Sequence, residues 1–186
     1  MSGVLVITGS PSRTSTTERV GEHVAQQLAA SGHGAHELRL RTLPAEPLLL
    51  ADTSHPDIAE AVDQVAEADG IVLATPTYKA AYSGLLKTFL DLLPQFGFAG
   101  KAVLPLATGG SAAHVLALDY GLRPVVHSLG ARHVVQSLFL LSSHLSVSGG
   151  RLRVDQTADD QLVDVLEQFR KALDGVPHDT VLGRSA

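Results

Sequence analysis

Val4-Leu5-Val6-Ile7-Thr8 runs directly into Gly9-Ser10-Pro11-Ser12-Arg13-Thr14-Ser15-Thr16-Thr17, and Glu18–Ala30 then repeats Val20, Val24 and Leu28 at helical spacing. A short apolar run, a polar turn and an amphipathic stretch read as strand, loop and helix, and Gly32 stops the helix. The alternation continues down the chain. Ala35–Leu40 alternates with polar residues, as suits a strand near a sheet edge. Pro56–Glu67 is a helix opened by its proline, with Ile58, Val62 and Val65 facing inward. Ile71–Ala74 is the most apolar strand and ends in Thr75-Pro76-Thr77-Tyr78; Ser83–Leu93 is a helix closed by Pro94. Lys101–Ala107 is a strand running into Thr108-Gly109-Gly110-Ser111, and Ala112–Ser128 is a long helix. Val134–Leu140 is the last strand and Gln161–Leu173 the terminal helix. Thr42–His55, which carries two prolines, and the Ser/Gly-rich Ser142–Gly150 read as loops.

Strands alternating with helices form βαβ units, and right-handed crossovers turn these into a doubly wound, three-layer α/β sandwich. The simplest order for its five-stranded parallel sheet is 2-1-3-4-5. That order sets the first and third strands side by side at the switch point, where ligands bind beyond the strand C-termini. The loops starting at Gly9, Thr75 and Thr108 are therefore the expected site. Residues 1–174 make the predicted domain, and 175–186, polar with Gly and Pro, a flexible tail.

Composition narrows the function classes. The chain has 186 residues, 45% hydrophobic and 18% charged, the profile of one globular domain. A net charge of -5, with no basic cluster beyond Arg151 and Arg153, points away from nucleic acid and from an anionic membrane surface. With no cysteine, disulfides, thiolate catalysis and cysteine-held metals are excluded. No apolar run approaches the roughly 20 residues of a membrane helix. The N-terminus also lacks the basic flank of a signal peptide, so a cytoplasmic protein is expected. The histidines are scattered without metal-ligand spacing, and no metal site is expected.

The first loop gathers six hydroxyls and the Arg13 guanidinium where a helix leaves its first amides unpaired. A helix N-terminus with free amides is an anion site. Both G-x-G-x-x-G and the Walker lysine are absent, and a crowd of hydroxyl donors suits a phosphate monoester, so the loop favours a mononucleotide tail over a dinucleotide bridge. A plain serine-rich N-cap accounts for one or two of these residues. In the second loop Pro76 stiffens the backbone, and Tyr78 and Tyr82 stand where a planar ligand could stack; they could equally just cover the sheet end. In the third, Gly109 and Gly110 allow close approach of a flat ligand, or simply turn the chain. Gly109-Gly110-Ser111-Ala112-Ala113 lacks the closing glycine of a hydrolase elbow.

Two stretches, Ala74 to Thr88 and Leu104 to Gly110, together with His114 to Pro124, resemble the NAD(P)H-dependent FMN reductase family. Within it they resemble the FMN reductases of two-component alkanesulfonate monooxygenase systems. The resemblance runs from about Val4 to about Leu140. It implies a flavodoxin-like fold that takes FMN and NAD(P)H, with the FMN phosphate at Ser10, Arg13, Ser15, Thr16 and Thr17. It places the flavin ring against Pro76, Thr77, Tyr78, Thr108, Gly109 and Gly110, with Ser83 in the same site. It also implies a homo-oligomer, a dimer or more often a tetramer, with Tyr120 at the interface. The first loop is shorter than the resemblance leads one to expect, and Gly121 stands in place of an alanine. A flavin-dependent monooxygenase is the implied partner.

Hydride transfer between two bound rings asks for stacking and orientation rather than an acid–base pair, so no catalytic side chain is assigned. Two rivals stay open: a reductase that retains FMN and reduces quinones or azo compounds, and a flavodoxin-type electron carrier without NAD(P)H activity. Ala112–Ser128 is apolar on more than one face, which suits a helix covered by a partner subunit. Pro124 cannot donate to the Tyr120 carbonyl, so a widened turn is expected there.

Overall fold

A computed structural model describes residues 3–175. Its main sheet runs β2 (Gly34–Arg39), β1 (Gly3–Thr8), β3 (Gly70–Tyr78), β5 (Ala102–Gly109), all parallel. Beyond β5, the fifth position is shared by β6 (His133–Val134) and β7 (Leu138–Leu141), both parallel to it. This is the expected 2-1-3-4-5 arrangement of a flavodoxin-like α/β fold, with the outer strand broken in two. A short β4 (Ala81–Tyr82) folds back antiparallel on the end of β3.

Alternation along the strands divides the core into two layers. Leu5, Ile7, Ile71, Leu73 and Val103 face α3 (Pro56–Glu67), α4 (Gly84–Leu90) and α5 (Arg123–Ser128). Val4, Val6, Val72, Leu104 and Leu106 face α1 (Thr16–Ala30) and α6 (Gln156–Gly175). The helices begin where their caps dictate: Ser15 Oγ accepts from Glu18 N for α1, Ser83 Oγ from Leu86 N for α4, and Pro56 opens α3. Gly32 ends α1 at φ +87, a conformation that favours glycine. No helix among the described residues is long and apolar enough to cross a membrane.

Several expectations need correction, among them that β3 and β5 run on through residues 75–78 and 108–109, which the sequence placed in loops. The break in the outer strand has a cause in its neighbour. Val135 N donates to Val103 O at 3.0 Å, and the next ladder bond would run from residue 105 to the Val135 carbonyl. Pro105 has no N–H to give. Arg123 takes over instead, its Nη2 donating to Val135 O at 3.0 Å and its Nη1 to Val134 O at 3.3 Å. Residues 42–55 are not wholly irregular: α2 (Ala45–Leu49) forms there because it buries Leu48. The supposed loop 142–150 contains β8 (Leu145–Ser148), which pairs with β9 (Arg151–Val154) in a hairpin. Gly149 and Gly150, at φ +58 and +76, supply its two-residue turn.

The single helix expected over 112–128 is a further correction. A 3-10 turn at Ala112–His114 is followed by a π-helical segment, Leu118–Leu122, and only then by α5. The widened turn expected at Tyr120 is therefore present. The helix expected over 83–93 is shorter, with Ser83 as its cap. The predicted tail lies outside the described residues apart from Gly175, which ends α6.

Candidate functional site

The C-terminal ends of β1, β3 and β5 bring the three predicted loops together, and hydrogen bonds tie each to another. Gly9 N donates to Ala74 O at 2.8 Å, and Ser83 Oγ donates to Gly9 O at 2.5 Å. Ser83 N donates to Thr75 Oγ1 at 2.9 Å. The first and third loops meet where Thr17 Oγ1 and Thr108 Oγ1 lie 2.6 Å apart, both side chains buried. Gly9 is glycine for a steric reason: a Cβ there would lie 2.7 Å from Leu86 Cβ.

Within the first loop the hydroxyls divide their work. Ser15 caps α1 through Glu18 N at 3.1 Å, while Ser10 and Ser12 accept from the amides of Ser12 and Thr14. These bonds shape the loop. The amides of Thr16 and Thr17 belong to the helix start, ahead of any intrahelical bond. Arg13 is exposed, and Thr16 half-buried, at the same helix start.

Other predicted site residues sit differently. Ser83 is 1% exposed and its hydroxyl both donates to Gly9 and accepts from Leu86, so it joins the first loop to the start of α4. Gly109 is packed from inside the chain, because a Cβ there would lie 2.6 Å from Phe139 Cζ. Gly110 has open space around its Cβ position. Pro76 is buried in register with Thr108, and Tyr78 is half-exposed on the β3–β4 hairpin. The two residues of that hairpin turn, Lys79 and Ala80, hold φ +50 and +61, a strained conformation for non-glycine residues. Thr77 Oγ1, between the second and third loops, is buried with no hydrogen-bond partner. Tyr82 lies under Gly121 of the π segment, its ring 3.5 Å from a Cβ built there, and burial pushes its phenol pKa up.

A family model described as NADPH-dependent FMN reductase matches residues 3–146. The chain belongs to the NADPH-dependent FMN reductase family. A FMN reductase (NADPH) of Pseudomonas putida is 42% identical over 172 residues, spanning 91% of this chain and 87% of the relative. Another of that name from Escherichia coli strain K12 is 38% identical over 170 residues, 91% and 89% of the two chains. The solved apo form of an NADH:FMN oxidoreductase superposes with a TM-score of 0.88 at 46% identity, covering 100% of this chain and 97% of its own.

In this member of the NADPH-dependent FMN reductase family, the first turn of α1 also carries a charge that the sequence does not flag. Glu18 is 5% exposed, and Arg41 grips it with two bonds, Nε to Oε2 at 2.7 Å and Nη2 to Oε1 at 2.8 Å. The Arg41 hydrogen bond, aided by the charges of Arg41, Arg39 and Arg19, holds the Glu18 carboxyl below its ordinary pKa against the effect of burial. A depressed folded pKa contributes stability that is fully present above the unfolded value and lost as pH falls through the folded one. Glu18→Gln should therefore flatten the loss of melting temperature on acidification below about pH 4.5. An unchanged acid limb would contradict the assignment.

Proposed function

We propose that this chain is an NAD(P)H:FMN oxidoreductase that binds FMN reversibly at the three loops and releases it reduced to a flavin-dependent monooxygenase. The observation that carries the reading is the first loop: the unpaired amides at the start of α1 and the exposed Arg13 lie within a few residues of the Ser15 cap. In this reading Arg13, Thr16 and the α1 amides hold the FMN phosphate, while Ser10, Ser15 and Thr17 contribute and shape the loop around it. The orphaned Thr77 Oγ1 offers a polar contact to a ring lying over Pro76, Thr77 and Tyr78. The space at Gly110 leaves room for that ring beside Thr108 and Gly109. Bound FMN supplies the hydride-accepting chemistry. The chain's part is to anchor the phosphate, fix the ring's orientation and leave one face open to the nicotinamide.

The same proposal includes assembly as a homo-oligomer, dimer or tetramer, through the face carrying Tyr120, and action in the cytoplasm. The test is NADH and NADPH oxidation at varied free FMN, with flavin content measured after gel filtration. The rate should saturate with added FMN and the purified protein should be largely colourless. A yellow protein whose turnover ignores added FMN and needs a quinone or azo acceptor would assign it instead to the flavin-retaining reductases. Tight FMN without NAD(P)H oxidation would assign it to the electron carriers.

A further inference from the structure

We propose that Arg41 sets the affinity of the first loop for a phosphate-bearing flavin by cancelling the Glu18 carboxylate inside the first turn of α1. The inference rests on the phosphate assignment above and adds a residue that touches no ligand. Glu18 is the third residue of α1, about 5 Å along the axis from the Ser15 cap. A carboxylate there enjoys the positive end of the helix dipole, the same field a bound phosphate uses. Left bare, it would repel the phosphate.

It is not bare. Arg41 lies in the 3-10 turn Leu40–Thr42 at the end of β2, the neighbour of β1, with Leu40 fully buried beside it. That anchor delivers the guanidinium to the same end of the sheet as the first loop. Arg39 Nε stands 3.5 Å from Glu18 Oε1 and its Nη2 is 3.0 Å from both Glu22 Oε1 and Glu37 Oε2. Arg19 Nη1 completes the set at 2.7 Å from Glu22 Oε2. Glu18, Glu22 and Glu37 are thus matched by Arg19, Arg39 and Arg41, and the cluster behind the loop carries no net charge. Removing either partner of the tightest pair unbalances it, in opposite directions.

The sign of each change is the test, read as dissociation constants for FMN and for riboflavin, which lacks the phosphate. Coulomb's law at a partly solvated site one turn away gives effects of roughly three- to tenfold. Arg41→Gln should weaken FMN by that factor and leave riboflavin within about twofold. Glu18→Gln should tighten FMN, the double variant should return close to the wild type, and Arg41→Lys, which keeps the charge but loses the two-pronged grip, should stay close to it. Raising the salt concentration should shrink all the differences. Arg41→Gln acting on both flavins alike or on neither, Glu18→Gln weakening FMN, or Arg41→Lys behaving like Arg41→Gln would overturn the proposal. If Arg41→Gln fails to fold, the Glu18→Gln and Arg41→Lys results still decide. Arg13→Ala separates the two layers: an FMN-selective loss there with no selectivity at Arg41 removes only this inference, while equal losses at Arg13 remove the phosphate site itself.

Discussion

Arg13→Ala should raise the dissociation constant for FMN by roughly 10- to 150-fold, the effect of losing one charge-assisted hydrogen bond of about 1.5–3 kcal/mol. Riboflavin binding should hardly change. Arg13 is exposed in the loop, two residues before the Ser15 cap of α1. Because its side chain is exposed, its removal should leave the melting temperature of the flavin-free protein unaltered. Binding and stability are then cleanly separated. Isothermal titration with both flavins is the measurement, and losses of equal size for the two would remove the phosphate assignment. Thr17→Val should behave differently, since Thr17 Oγ1 is bonded to Thr108 and buried. There the loss should extend to the joint between the first and third loops, and so to both flavins.

The sheet order was legible in the sequence because each inner strand is a short apolar run between turn residues, and a parallel sheet of that pattern has few ways to close. The meeting of the three loops followed from the order alone, since loops at a switch point are neighbours wherever the details fall. What the sequence did not show depended on tertiary register. That Pro105 would interrupt the outer strand requires knowing that residue 105 faces Val135, which no local pattern states. Arg41 lies 23 residues from Glu18 in the chain, so no helical spacing links them. Ser83 and Gly109 also serve the chain itself, one joining two loops and the other making room for Phe139. A hydroxyl or a glycine at a strand end has the same appearance in either role. The β8–β9 hairpin is another matter. Leu145, Val147, Leu152 and Val154 alternate on either side of Gly149-Gly150, a hairpin signal that was present and was masked by the surrounding serines.

Tyr120→Ala should lower the mass of the assembled protein in gel filtration with light scattering, and should change how much FMN it retains. The ring is 79% exposed on the chain, next to Val115 at 48% and Leu116 at 56%. Leu118 and Leu122 on the same segment are fully buried, so the apolar surface continues around the turn from core to exterior. An aromatic ring held outward beside two aliphatic side chains is what a subunit interface uses as an anchor, and truncating such a ring costs about 2 kcal/mol or more for each contact. In a symmetric pair the loss counts twice. The backbone that presents the ring does not depend on it. Arg123 Nε bonds Asp119 Oδ1 at 3.2 Å, Ser137 Oγ donates to the same oxygen at 3.0 Å, and Arg123 Nη2 reaches Ser137 Oγ at 2.9 Å. These bonds hold the π segment against the break in the outer strand whatever side chain residue 120 carries. The route to flavin retention is equally concrete: Gly121 rests on Tyr82, and Tyr82 pairs with Thr77 across the hairpin that borders the candidate ring site. In the proposed oligomer, a partner pressing on Tyr120 would press on that hairpin too. A wild-type protein that is monomeric at micromolar concentration, or a variant unchanged in both mass and flavin retention, would refute the assignment. A variant that falls apart yet retains FMN as before would keep the interface and remove the coupling.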